Sequence, residues 1–164
     1  MPLRYRIQSD PETIQDLELA SEEKYWEGVE LLAAGRRGGG IYLLGYAAEM
    51  ILKNACFVFD GARPADPVSL GPVGSFGNRY LPTIGRESYH SLWFWLHVLL
   101  AKRHRKGRSL AHQLDAPLVQ RTRRIYGIWT VEMRYQPDRS MESEGRCVYD
   151  DVTWIRDHRH ELMR

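Results

Sequence analysis

Neither sign of charge dominates this chain of 164 residues, in which 23 Lys and Arg face 21 Asp and Glu for a formal net charge of +2. Bulk electrostatics therefore gives no warrant for a nucleic-acid partner, and any such case rests on local clusters. Cysteine is scarce. Cys56 falls in an apolar helical run and Cys147 in a polar stretch that reads as a loop, which makes neither a disulfide framework nor a metal-ligand spacing. Cys56 is expected as a buried free thiol. The sequence contains no Gly-x-Ser-x-Gly elbow and no Walker sequence, which argues against the common hydrolase and nucleotide-cleaving motif classes. Long apolar runs are missing too. The longest uncharged one, Ser91 to Ala101, reaches about half of a bilayer span, and none follows the two arginines of Met1 to Arg6. The expectation is a single domain over 1–164, soluble and cytoplasmic, with no membrane partner.

What is present is helical periodicity. Ser9, Asp10, Pro11 and Glu12 read as a helix start, with apolar residues from Ile14 to Leu32 at helical spacing and a break at Gly35 and Gly38 to Gly40. The glycines are read as a tight connection. A second helix from about Ile41 to Phe59 is apolar around most of its circumference and belongs at the centre of a bundle. From about 61 to 88 prolines and glycines predict a long non-helical connection of the kind that is functional or mobile. Helicity returns from Tyr89 to His104 and stops at Gly107. Two more helices are predicted, one from Asp115 to about Tyr135 and one starting at Asp150. The sum is an all-α, up-and-down bundle of four to five helices.

Several constellations carry possible chemistry. Glu49 and Lys53 are four residues apart on the central helix and share a face, as an exposed ion pair or as a pair desolvated together. His90, His97 and His104 lie near one helical stripe, but each step of seven residues rises about 10 Å, too far to share one metal ion. No metal or other cofactor is expected. Basic clusters occur at Lys102 to Arg108, at Arg121, Arg123 and Arg124, and at Arg156 to His160. Converging, they would contact phosphates, with Tyr126 or Trp129 as stacking partners; otherwise they are solvated helix faces.

The run Tyr42-Leu43-Leu44-Gly45-Tyr46-Ala47-Ala48-Glu49-Met50-Ile51-Leu52-Lys53 resembles the second-helix signature of HEPN-domain proteins, small helical domains of prokaryotic toxin and defence systems. Tyr89-His90-Ser91-Leu92 is similar to that family's His-x-Leu start of the third helix, and Trp129 followed by Arg134-Tyr135-Gln136-Pro137 to its tryptophan and Arg-Tyr-x-Pro. The resemblance spans about Glu12 to Leu162. It implies a bundle that commonly forms a homodimer. In many members it implies a metal-independent ribonuclease built on an arginine and a histidine with four to six residues between them, beside a polar residue of the second helix.

On that resemblance Arg134 and Glu49 are the catalytic candidates, and Lys53 and Tyr135 complete a polar centre. The seven residues after Arg134 contain no histidine. RNA cleavage of this type needs a proton acceptor near neutral pH, which arginine does not supply. The expectation is therefore a non-catalytic or degenerate bundle that binds RNA or a cognate protein such as a nucleotidyltransferase in a toxin–antitoxin or defence setting. The alternative is a ribonuclease whose acid–base residue comes from elsewhere, with His90, His112 or His158 as candidates. Arg105 and His112 match the family spacing between the third and fourth helices and are carried as binding candidates.

Overall fold

Thr13 starts the first helix by satisfying its orphan amides: its hydroxyl accepts from the Asp16 N–H at 3.2 Å while the Asp16 carboxylate accepts from the Thr13 N–H at 2.8 Å. This opens α1 (Ile14–Ala33) in a computed structural model that describes residues 12–81, 83, 89–135 and 137–164, with Arg134 described in its backbone only. The start read at Ser9 to Pro11 lies outside the described residues. Gly35 ends α1 as expected, at φ +74°, with its N–H bonded to the Leu32 carbonyl and that of Arg36 to Leu31.

The remaining elements are α2 (Arg37–Phe59), α3 (Leu70–Tyr80), α4 (Leu92–Arg105), α5 (His112–Ile128), a 3-10 turn (Val131–Tyr135), α6 (Glu142–Asp157) and α7 (Arg159–Met163). The all-α class is as read. Among the described residues seven α-helices replace the four to five expected, and the differences trace to particular residues.

The glycine run at 38–40 is the first turn of α2, not a break. A Cβ on Gly40 would lie 2.6 Å from the Leu32 side chain, and one on Gly28 would lie 2.8 Å from Leu44 Cγ, so these glycines let α1 and α2 pack backbone to backbone. The connection read at 61–88 contains α3. Pro72 falls in its first turn, where its missing N–H costs nothing, and buried Val73 and Gly77 seat it against α4. α5 begins one turn earlier than read and carries Pro117 inside. It also ends at Ile128, seven residues before the expected Tyr135, because Trp129 turns to extended backbone (φ −97°, ψ 136°) to bury its indole on α2. α6 starts eight residues before Asp150, closed by the Glu144 carboxylate on the Met141 N–H at 2.7 Å, so Cys147 is helical instead of in a loop. α7 is a separate short helix rather than the tail of the last one.

α2 is the centre, as its composition predicted. It packs against α1, α4, α6, α7 and the 3-10 turn, and α5 returns along α4 to close the bundle against α6. Ile41, Leu44, Ile51 and Leu52 of α2 are fully buried among Trp95, Leu96, Leu99, Leu118, Ile125 and Ile155. α2 is also the one described helix long and apolar enough to cross a membrane, and most of that surface is covered by its neighbours in the bundle. Cys56 is a free buried thiol, pushed up to about 12 by burial.

Candidate active site

Ala47, Ala48, Leu52 and Ala55 place the centre of α2 in apolar surroundings, and Glu49 sits among them with 0% of its surface exposed. A carboxylate there needs a counter-charge. Lys53, one turn on, supplies it: its ammonium lies 2.6 Å from Glu49 Oε1, 13% exposed, with the Trp95 ring centroid 5.5 Å away. Of the two readings open for this pair, the desolvated one holds. Breaking such a pair from one side leaves an uncompensated buried charge worth about 3–5 kcal/mol.

A third group joins from 41 residues away. His90, two residues before α4, puts Nδ1 3.3 Å from the same Glu49 Oε1. A carboxylate oxygen accepts, so Nδ1 is the donor of this contact and Nε2 is the ring nitrogen left for other partners. The ring lies over Tyr46, with centroids 6.4 Å apart and planes 26° from parallel. Half of the His90 side chain is exposed. Glu49 is thus reached from solvent only through its partners, which makes it a group that positions others.

His90 lines a cavity of about 460 Å³ with Ser91, Tyr126, Trp129, Thr130, Val131 and Glu132. The helix ends explain why these residues meet. Ser91 caps α4 by accepting from the Phe94 N–H at 3.3 Å, which turns the preceding His90 back toward α2. Trp129 seats its indole on Gly45, where any Cβ would overlap the ring, and donates from Nε1 to the Tyr42 carbonyl at 3.0 Å. That anchor holds the 3-10 turn against α2. Tyr126, on the last turn of α5, faces Trp93 near the start of α4 with ring centroids 6.0 Å apart.

Arg134 and Tyr135 belong to the same 3-10 turn as Val131 and Glu132. The Arg134 side chain lies outside the described residues, and Tyr135 is 73% exposed. Arg105 and His112 do not join. Arg105 closes the far end of α4, about 20 Å along the axis from its start, and His112 opens α5 beside that same end. His158 bonds the Trp154 carbonyl through Nδ1 at 2.8 Å and stacks on the Trp154 ring, away from the cavity. A second cleft of about 560 Å³ lies beside Gly38, Tyr42, Asp138 and Glu144. Its two carboxylates are engaged as caps, Asp138 on the Gly38 N–H and Glu144 on the Met141 N–H, which leaves it without a group suited to proton transfer.

Sequence reasoning paired Glu49 with Lys53 and singled out His90 separately, without joining it to them. Thr130 and Glu132 carried no signal, because polar residues in a turn are the rule. The assembled site holds an oriented imidazole beside two aromatic rings and a carboxylate at the edge, the parts needed to move a proton on a bound substrate.

No protein-family model, no curated protein and no solved structure matches the chain. The site is left to speak through its own geometry.

Proposed function

We propose that this helical bundle is an acid–base site for RNA cleavage, the second of the two functions expected from the sequence, with His90 as its proton-transfer group. The observation that carries the reading is the contact from Glu49 Oε1 to His90 Nδ1 at the edge of an open cavity. It supplies the acid–base group that the sequence after Arg134 lacks. In the step envisaged, His90 Nε2 takes the proton of a ribose 2′-hydroxyl, whose oxygen attacks the adjacent phosphorus. The 5′-oxygen leaves with a proton from solvent, yielding a 2′,3′-cyclic phosphate and a 5′-hydroxyl. Glu49 holds the tautomer and stabilises the imidazolium that forms, in the manner of the acid in a catalytic triad. Lys53 is the ion-pair partner of Glu49, Tyr126 offers a face for a base, and Arg134 on the adjoining turn is assigned to the phosphate.

The wider setting comes from the resemblance: a cytoplasmic homodimer in a toxin–antitoxin or defence context, with a nucleotidyltransferase-type protein as cognate partner. Incubation of the full chain with structured RNA in EDTA tests the chemistry. Cleavage that falls by about 100-fold or more in His90→Ala supports it, the size expected for loss of a general base. Parent protein that cleaves no faster than His90→Ala rules it out. The first sequence expectation, a degenerate bundle that only binds RNA or a partner protein, is favoured by the missing histidine after Arg134 and predicts that null result together with retention of RNA.

A further inference from the structure

Three basic clusters stand in the sequence, and the fold treats them differently. Arg121 and Arg124 share the buried carboxylate of Asp151, with Arg121 Nη1 at 2.8 Å from Oδ1 and Arg124 Nε at 2.8 Å from Oδ2. Arg156 forks onto Glu22 at 2.7 Å, and Arg159 approaches the same carboxylate at 3.7 Å. The cluster at the end of α4 is not matched in this way. From Ala101 to Leu114 the chain has five lysines and arginines and no acid. Asp60 is the one side-chain carboxylate ion-paired to this cluster among the described residues, Lys102 and Lys106 already share it, and Arg108 donates through Nη2 to the Arg164 backbone oxygen.

One of these cations is buried without an acid. Arg103 is 6% exposed, its Nη1 donates to the Leu162 carbonyl rather than to an acid, and its buried Nε has no partner among the described residues. Complementing a helix C-terminus takes one or two cations. Here a further one is brought in by another element: Arg79 of α3 and Arg105 of α4 both lie on the Tyr80 ring, at 5.2 and 3.9 Å from its centroid. Arg105, Lys106 and Arg108 are exposed.

We propose that this end of the bundle, presenting Arg79, Arg105, Lys106 and Arg108, is a docking surface for the phosphate backbone of an RNA strand, separate from the cavity at His90. A polyanion relieves the self-repulsion of such a pole. A lipid surface fits less well, because among the described residues the exposed large apolar ones are Leu19, Trp26, Tyr89, Tyr126, Tyr135, Met141 and Tyr149, none of them in α3 or at this end of α4. The choice of RNA over DNA rests on the function proposed above. The pole and His90 stand at opposite ends of α4, so a strand of about six nucleotides at 3.4 Å per nucleotide spans the distance. Longer strands gain both contacts and shorter ones do not.

The test is fluorescence anisotropy with labelled single-stranded RNA in the His90→Ala background, where binding is read whether or not the parent cleaves. Arg105→Gln/Arg108→Gln is expected to weaken binding of a strand well beyond six nucleotides by tenfold or more at low salt. Loss of two phosphate contacts also lowers the slope of log Kd against log salt by about 1.4. Arg105→Lys/Arg108→Lys retains most of the binding, and a trinucleotide shows no difference between variants. Unchanged affinity in the glutamine variant, with an unchanged Tm, overturns the proposal. So does an equal loss in Arg36→Gln/Arg123→Gln, two exposed arginines away from this end, at unchanged Tm, which means bulk charge, or tighter attachment to phosphatidylserine vesicles or polyglutamate than to RNA.

Discussion

Replacing Glu49 and Lys53 singly and together separates burial from chemistry. At 2.6 Å and an effective dielectric constant of 20, their attraction is about 6 kcal/mol, of which desolvation takes back a large share. Glu49→Gln leaves an ammonium that still reaches solvent, at 13% exposure, so its cost is set at about 2 kcal/mol, below the range for a fully buried orphan. Lys53→Met takes the ammonium from a carboxylate with no exposure, which keeps its contact with His90, and its cost is set at about 3 kcal/mol. The double variant removes both charges and costs about 2 kcal/mol, mostly packing and the lost contact to His90, instead of the additive 5. The coupling is then about 3 kcal/mol, near the upper end for neighbours in contact. Urea unfolding of the four proteins measures it, and for a domain of this size each kcal/mol moves Tm by about 2–4 °C. Additivity within about 0.5 kcal/mol would refute the claim that the two charges are desolvated as a unit. If the proposed cleavage holds, it is expected to follow Glu49 alone: the double variant folds nearly as well as Glu49→Gln, yet both lose the carboxylate in contact with His90. A double variant that cleaves like the parent would show that Glu49 has no part in positioning the imidazole.

Gly45→Ala forces a methyl group into the space of the Trp129 indole and costs about 1–3 kcal/mol by overpacking, with a red shift of tryptophan emission as the ring is displaced. An unchanged spectrum and an unchanged Tm would mean that Trp129 is not anchored on α2. Asp138 ties the segment after the 3-10 turn to the start of α2: the Ser140 hydroxyl and then the Gly38 N–H, at 2.8 Å, hold its carboxyl below the usual carboxylate range. A depressed folded-state pKa gives stability that is full above the unfolded value of about 3.9 and is lost as pH falls through the folded value. Asp138→Ala is therefore expected to flatten the acid limb of the Tm–pH curve without changing its shape near neutrality. An identical acid limb in parent and variant would exclude the contribution.

Local order was legible in the sequence wherever one residue decides it within a few positions of itself. Gly35 and Gly107 end helices because a positive φ is open to them, at +74° and +65°. The apolar circumference of 41–59 made α2 the central helix, and four-residue spacing put Glu49 and Lys53 together. Helix boundaries were read less well, since they were set by contacts with other elements. α3 forms in a Gly- and Pro-rich stretch because Val73 and Gly77 find α4, and α5 stops at Ile128 because Trp129 finds Gly45.

The sequence by itself determined an all-helical chain, its central helix and one acid–base pair on that helix, because periodicity and capping act over one or two turns. Only the tertiary structure decided that the pair is buried, that His90 and not His158 lies against it, and which basic clusters meet carboxylates of other helices. Those outcomes depend on groups 27 to 134 residues apart, as in Arg124 with Asp151 or Arg156 with Glu22, and no local pattern records which acid arrives beside which base.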